Sequence, residues 1–234
     1  WRKKKASALR QQNQDDEAIV TLGKILDENQ TEWEIAQLEI GNILMSTSPQ
    51  RFTVATNHYK AVIDKIQTKE RKDEALLNYG ICLLKTNQGI DAIRVFQNLI
   101  QGSKNEQIIT DSFQFLASCF EKEKNMKESI KLLEESLKKY PQQKNQLFLH
   151  KECVRLYHLL SDFESAIKHL NIVYKETTDP NSQAEALFQL AGYDLKSETQ
   201  TLTESGQQKL KLILQNHPKT LVAPKAAYLL GQIL

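Results

Sequence analysis

The sequence predicts an all-α protein, an α-solenoid of antiparallel helix pairs, and three observations lead to this prediction. Small residues recur along the chain, and three of the six intervals between neighbouring ones are 37 residues. Apolar residues between them follow the 3.6-residue period of an α-helix. Glycine and proline are scarce, with 8 and 5 among 234 residues, and they lie mostly at breaks in the apolar pattern. A repeat of this length indicates stacked units, each of which needs a neighbour to cover its apolar face.

Each predicted unit is marked by one small residue in its first helix and another in its second helix. The first-helix markers, in chain order, are Ala6, Gly41, Gly80, Ala117, the slightly larger Val154, Ala191 and Gly231. The second-helix positions that follow them are Ala18, Ala55, Ala92, Ser129, Ala166 and Gly206. The predicted repeats span 1–30, 31–68, 71–104, 110–142, 147–179 and 183–220, with a partial repeat at 221–234. We therefore expect a single solenoid over 1–234, made of six repeats and one further helix.

The third repeat shows why each unit is predicted as two helices. From Gly80 the chain continues with Leu83, Ala92, Phe96 and Leu99, at offsets of 3, 12, 16 and 19 residues. These positions keep helical spacing on both sides of a polar break, which predicts two helices of roughly 14 residues joined by a short loop.

Two intervals between markers are longer than the others, at 39 and 40 residues. Insertions of two and three residues in the polar turns 46–50 and 196–200 account for them.

This pattern resembles the tetratricopeptide repeat, in which the first helix carries a small and then a large apolar residue, and the second carries alanine and a large residue. The matching residues are Gly80, Leu83, Ala92 and Phe96; Ala117, Phe120, Leu133 and Pro141; and Val154, Tyr157, Ala166 and Leu170. The resemblance covers nearly the whole chain. It implies a right-handed α-solenoid that serves as a non-enzymatic scaffold for protein–protein interaction, without a cofactor. The departures are a period of 37 instead of 34, Ser129 in an alanine position, and Asp194 where a large apolar residue belongs.

The two ends of the sequence bear on location. The segment Asn216–Gly231 is similar to junctions in bacterial envelope repeat proteins, which include outer-membrane assembly lipoproteins and periplasmic cell-division coordinators. It predicts an envelope-associated scaffold, with the cytoplasm as the alternative. The segment Trp1–Lys5 admits two interpretations: the flank of a membrane anchor outside this sequence, or a basic first helix of the solenoid.

Composition and motifs argue against several classes of function. With 31 basic and 29 acidic residues the net charge is +2, so no nucleic-acid partner is expected. We find no phosphate-binding glycine loop, nucleophile motif or metal-ligand spacing, so neither an enzyme nor a metal site is predicted. The cysteines Cys82, Cys119 and Cys153 follow the repeat and are predicted to be small packing residues. The alternatives for function are a peptide-sensing regulator that lacks its DNA-binding part, and a helical-repeat RNA binder, which the charge argues against.

A partner is predicted to bind along the first helices, which line the concave side of such a stack. Offsets of −6, −3, +1 and +4 from each marker lie within an arc of about 80° beside the packing face. In repeats two and three the candidates on this arc are Ile35, Leu38, Asn42, Met45, Leu77, Ile81 and Leu84. We expect a partner helix or extended apolar segment there, with Asn42 binding a backbone group. The alternative is that these residues pack against an adjacent repeat or a missing N-terminal segment.

A basic pair forms a second candidate. Lys151 and Arg155 lie four residues apart on one predicted helix face, near His158. The pair could bind a carboxylate. The alternative is a solvated face that Glu152 neutralises.

Overall fold

The computed structural model describes residues 1–25, 29–196 and 199–233. These ranges contain thirteen α-helices and no strand. The helices are α1 (Arg2–Gln11), α2 (Asp15–Gly23), α3 (Gln30–Thr47), α4 (Phe52–Val62), α5 (Lys69–Lys85), α6 (Gly89–Gly102), α7 (Glu106–Lys122), α8 (Met126–Lys139), α9 (Gln146–Leu159), α10 (Phe163–Glu176), α11 (Pro180–Leu195), α12 (Gln200–Asn216) and α13 (Ala223–Ile233). The predicted fold class, an all-α protein of consecutive helix pairs, is confirmed. In the described ranges, no helix has both the length and the apolar character that a membrane crossing requires.

The first helix of a pair begins slightly ahead of the predicted repeat. Helices α3, α5, α7, α9 and α11 begin at Gln30, Lys69, Glu106, Gln146 and Pro180, whereas the predicted starts are 31, 71, 110, 147 and 183. Side-chain caps explain three of the early starts. Asn29 accepts a hydrogen bond from the N–H group of Glu32 at the start of α3. Asn105 accepts hydrogen bonds from the N–H groups of Gln107 and Ile108, and Asp179 accepts one from Ser182. Such polar caps lie before the first apolar position of the helix. An apolar pattern alone therefore predicts a helix start that is one or more residues too late.

The turn inside a helix pair takes the same backbone form in four of the described pairs. Its central residue has a positive φ of 58–61°, and these residues are Asn13, Asn87, Lys124 and Ser161. The next residue donates its N–H to the carbonyl five positions earlier, as Gln88 does to Leu83 at 2.8 Å and Asp162 to Tyr157 at 3.0 Å. This is the Schellman arrangement at a helix C-terminus, and it satisfies a carbonyl that the helix leaves unpaired. The accepting carbonyl belongs to the large residue three positions after the marker.

The chain divides into two compact units, Trp1–Leu132 and Leu133–Leu234. In the first unit each helix from α1 to α7 packs against the next, α3 also contacts α5, and α5 contacts α7. In the second unit each helix from α9 to α13 packs against the next. The single solenoid over 1–234 stays a prediction. Part of the proposed insertion at 196–200, Ser197 and Glu198, lies outside the described residues.

Glycine markers in the first unit lie where an aromatic ring from the second helix packs against the first. A Cβ atom added to Gly41 would lie 2.3 Å from Cζ of Tyr59, and one added to Gly80 would lie 2.7 Å from Cε1 of Phe96. Tyr59 and Phe96 are both fully buried. The small residue that marks these repeats therefore lies where two helices approach closely, as the small size of its side chain predicts.

A buried carboxylate ties α3 to the start of α5. Oε1 of Glu34 accepts hydrogen bonds from the N–H groups of Gln67 (2.7 Å) and Thr68 (3.2 Å), and Oε2 lies 2.9 Å from Nη1 of Arg71. Gln30 donates a further bond to Oε1. Burial alone would raise the pKa of Glu34, but these hydrogen bonds outweigh it and lower the pKa to about 2. The carboxylate is therefore charged and fully partnered inside the first unit.

The sixth repeat departs from its pattern by a shift of one residue. Leu195, not Asp194, lies against the second helix, since a Cβ atom on Gly206 would approach Cγ of Leu195 to 2.7 Å. Asp194 instead forms an ion pair with Lys209 of α12. The large apolar residue that the repeat requires is present, one position later than its spacing predicts.

Candidate partner-binding site

Helices α3 and α5 bring the predicted apolar residues of the first unit onto neighbouring elements. Ile35, Leu38, Asn42 and Met45 lie on α3, and Leu77, Ile81 and Leu84 lie on α5. Leu38, Leu77 and Leu84 are buried, so they contribute to the core. Ile35, Met45 and Ile81 are half-buried, and Asn42 is exposed. We call the accessible remainder (Ile35, Asn42, Met45 and Ile81) the α3–α5 surface.

Asn42 is held in place by a buried tyrosine and a second asparagine. Its Oδ1 accepts hydrogen bonds from the hydroxyl of Tyr59 (3.1 Å) and from Nδ2 of Asn78 (2.9 Å). Nδ2 of Asn78 also lies 3.2 Å from the Tyr59 hydroxyl. Burial raises the pKa of Tyr59 above its ordinary value, so this hydroxyl remains a donor. Three side chains from α3, α4 and α5 therefore fix the amide of Asn42 at the surface.

A cleft in the second unit contains both residues of the predicted basic pair. One part, of about 360 Å³, has an apolar floor and is lined by Lys151, Val154, Leu170, Val173, Asn181, Ser182, Glu185, Ala186, Gln189, Leu221 and Val222. The adjoining part, of about 450 Å³, is lined by Lys151, Val154, Arg155, His158, Leu159, Gln189, Gly192, Tyr193 and Lys196. We call both parts together the α9–α11 cleft. Its size falls in the range of ligand-binding pockets.

Cationic side chains surround the second part of this cleft. Nζ of Lys151 donates to Oγ of Ser182 at 2.9 Å, which links α9 to α11. Arg155 forms an ion pair with Glu152 at 2.8 Å. The predicted neutralisation by Glu152 therefore holds for Arg155, while Lys151 pairs with a neutral hydroxyl.

His158 and Tyr193 line one end of the cleft, and the ring of Phe163 packs against Tyr193 there. Nδ1 of His158 lies 3.0 Å from the hydroxyl of Tyr193, and the Phe163 ring lies 5.5 Å from that of Tyr193. Nζ of Lys196 lies 5.9 Å from the centre of the Phe163 ring, a cation–π contact. This end combines flat apolar surface with hydrogen-bonding groups, a mixture typical of protein-binding sites.

Sequence reasoning missed several residues of the α9–α11 cleft. Gln189 and Tyr193 lie two positions before and after the marker Ala191, outside the arc used to predict the groove. Leu221, which is 85% exposed, comes from the turn before α13. A periodic helix pattern does not extend to such turns. Only the high exposure of a large apolar residue distinguishes Leu221, and the sequence does not show it.

The three cysteine thiols are shielded from solvent. Burial raises the pKa of the thiols of Cys82 and Cys153 to about 12 and that of Cys119 to about 11, so all three stay protonated and unreactive at neutral pH. They are free and buried, which agrees with their predicted role as packing residues.

A pair of histidines connects α9 with α10. Nδ1 of His150 lies 2.8 Å from Nδ1 of His169. Burial and the neighbouring His169 lower the pKa of His150 to about 4, so His150 is neutral at physiological pH. Within the described part of the chain, no group of three or more His, Cys, Asp or Glu side chains is arranged to hold a metal ion.

Comparisons with known proteins agree with this architecture. The tetratricopeptide-repeat family matches residues 116–142. The structure is similar to that of pilF from Pseudomonas aeruginosa, with a TM-score of 0.60 and 15% identity over 96% of this chain and 94% of that chain. It is also similar to YrrB, a TPR protein with an unusual peptide-binding site, with a TM-score of 0.56 and 17% identity over 88% of this chain and 97% of that chain. A putative kinesin light chain with nearly identical TPR-like repeats from Podosopora anserina has a TM-score of 0.58 and 15% identity over 78% of this chain and 95% of that chain. No curated protein matches the sequence.

At these identities the solved structures establish the fold, and the family match establishes the repeat within it. Repeats of this kind are generally non-catalytic scaffolds for protein–protein interaction. The resemblance detected in the sequence is confirmed at this level: residues 116–142 match the tetratricopeptide repeat, and the fold is that of solved tetratricopeptide-repeat structures.

Proposed function

We propose that this protein is a non-enzymatic scaffold that binds a partner helix or extended peptide along the first helices of its repeats. The observation that carries the proposal is the α9–α11 cleft, which combines an apolar floor with cationic and hydrogen-bonding side chains. The presence of a peptide-binding site in YrrB, a protein of the same fold, supports it. The α3–α5 surface of the first unit is proposed as a second contact site, with Asn42 binding a backbone group of the partner.

The lining of the α9–α11 cleft is suited to an extended segment. Val154, Val173 and Val222 are almost fully buried and form a rigid floor against which apolar partner side chains can pack. Ser182 and Gln189 supply hydrogen-bonding groups along the wall, where an extended backbone has unpaired N–H and C=O groups. Lys151 stands at the junction of both parts, where it can exchange its bond to Ser182 for a partner carboxylate.

Filling the cleft tests this proposal. A Cβ atom added to Gly192 meets nothing within 4 Å, so Gly192→Trp projects an indole ring into the cleft without a backbone clash. We expect peptides selected on the wild-type chain from a random phage-displayed library to bind this variant at least tenfold more weakly in fluorescence anisotropy, because the ring occupies their volume.

The matched control is Gly231→Trp, an equally open glycine on α13 that does not line the cleft. It should bind the selected peptides like the wild-type chain. Equal affinity of all three proteins would show that the cleft is not the binding site. Failure of the library to yield any peptide that binds the wild-type chain would contradict peptide binding altogether.

The α3–α5 surface is tested by Ile81→Asp, because a carboxylate there would remain desolvated against an apolar partner. We expect about a tenfold loss in affinity for those selected peptides whose binding Gly192→Trp leaves intact. The control is Ile90→Asp, at an isoleucine of α6 that is 66% exposed. Thermal unfolding followed by circular dichroism checks that both variants remain folded. Unchanged affinity in a folded Ile81→Asp variant would restrict partner binding to the second unit.

We further propose that the complex which this scaffold organises is associated with a bacterial cell envelope, through an anchor outside this sequence or through its partner. The junction sequence Asn216–Gly231 supports this location. Fractionation of the native organism, with an antibody against this chain, tests it: recovery in the cytosol alone would contradict it.

A further inference from the structure

Positive charge is concentrated in α1. This helix has the sequence RKKKASALRQ and carries five of the 31 basic residues and none of the 29 acidic ones. The whole chain has a net charge of +2, so the rest of the chain has a net charge of −3. Such asymmetry is typical of a segment that meets a polyanionic surface.

Three of these cations form no ion pair with a residue that the structure describes. Lys3 lies 3.6 Å from Glu32, and Arg2 donates to the carbonyl of Lys24 at 2.7 Å. Lys4, Lys5 and Arg10 are exposed and form no ion pair with any residue in the described ranges.

An exposed tryptophan accompanies these exposed cations. Trp1 is 88% exposed, and Nζ of Lys5 lies 5.5 Å from the centre of its ring. The indole ring favours the interface between water and lipid acyl chains, where lysine and arginine meet the headgroups. Between the cations the exposed surface of the helix carries the small residues Ser7 and Ala8, so the helix can lie close against a flat surface.

We propose that α1, together with Trp1, is a contact surface for an anionic lipid bilayer. Lipid phosphates would pair with Lys4, Lys5 and Arg10. Trp1 would insert at the level of the headgroups. This contact is independent of partner binding in the α9–α11 cleft, and each can fail without the other.

Vesicle co-sedimentation at low salt tests the proposal. We expect the chain to sediment with vesicles that contain phosphatidylglycerol and to stay in solution with vesicles of phosphatidylcholine alone. The double variant Lys4→Glu/Lys5→Glu should lower the partition coefficient by about thirtyfold or more, because two favourable charges become repulsive. The control Lys127→Glu/Lys131→Glu changes the net charge equally, at exposed lysines of α8, and should partition like the wild-type chain.

A second variant separates lipid contact from charge alone. Trp1→Ala should reduce the partition coefficient severalfold and leave its salt dependence unchanged, because the indole contributes through interfacial insertion and not through charge. Gly192→Trp should sediment like the wild-type chain, which separates this surface from the cleft.

Three results would overturn the proposal. They are an absence of sedimentation with either type of vesicle, equal losses in the α1 and α8 double variants, and sedimentation unchanged by Lys4→Glu/Lys5→Glu. Vesicle binding that fails while the chain binds polyuridylate, and loses that binding in the α1 variant, would identify a nucleic acid as the partner instead.

Discussion

Replacing Glu34 by alanine should lower the free energy of unfolding by about 3 kcal/mol, because it leaves the partners of a buried charge unpaired. The N–H groups of Gln67 and Thr68 lose their acceptor, and Arg71 loses its carboxylate. Urea unfolding followed by circular dichroism measures the change. The control is Glu32→Ala on the same helix, an exposed carboxylate whose loss should change the free energy by less than about 0.5 kcal/mol.

The contribution of Glu34 also depends on pH. Its pKa in the folded protein, about 2, lies below the ordinary value of 4.5. A lowered pKa means that the stabilisation is fully present above about 4.5 and is lost as the pH falls toward 2. The unfolding free energies of the wild-type chain and Glu34→Ala should therefore converge in that window. A constant difference on acidification, or equal effects of Glu34→Ala and Glu32→Ala at neutral pH, would show that the charge of Glu34 does not stabilise the fold.

Replacing Phe96 by alanine should cost about 3–5 kcal/mol, since it removes a fully buried ring and leaves a cavity between α5 and α6. The ring also stacks on Phe115 of α7 at 5.7 Å between centroids, so three successive helices lose a contact. Ile90→Ala, at an exposed residue of the same helix, is the control and should have an effect within about 0.5 kcal/mol.

A double-mutant cycle tests the contact between this ring and the marker glycine. Gly80→Ala places a methyl group 2.7 Å from the Phe96 ring and should destabilise the wild-type chain by about 1–3 kcal/mol. In a Phe96→Leu background the same substitution should cost less, because the smaller side chain leaves room for the methyl group. Additive effects of the two substitutions would mean that the marker glycine has no role in packing this ring.

The fold was predictable because one steric constraint, the close approach of two helices at a small residue, recurs along the chain. At Gly41 and Gly80 a close approach between helices excludes a side chain, and the recurrence of small residues along the sequence reflects that exclusion directly. In the sixth repeat the spacing points to Asp194, whereas Leu195, one position later, makes the apolar contact with Gly206 of α12. Glu34 was not predictable at all. A buried carboxylate has the same sequence signature as a solvated one, and its partners Gln67 and Arg71 lie more than 30 residues away.

The candidate site was predictable only in part, for geometric reasons. The arc used to choose groove residues adjoins the packing face, so Leu38, Leu77 and Leu84 are buried while Ile81 stays accessible. Whether α5 covers a given residue of α3 depends on how far the two helices are offset along their axes, which periodicity within one helix does not encode. Lys151 and Arg155, which the sequence places on one helix face, both line the α9–α11 cleft, yet about half of the residues that line it belong to α11 and to the turn before α13.

The turns inside the helix pairs have a consequence for how far the amino-acid sequence of such a chain can diverge. Asparagine, lysine and serine all occupy the left-handed position there, although only asparagine favours it. The packing of the two helices therefore sets the conformation of the turn, and the identity of the side chain at this position has little effect on it. Substitutions can accumulate at these positions while the angle of each hairpin is preserved, which helps to explain how one architecture persists at 15% identity to pilF.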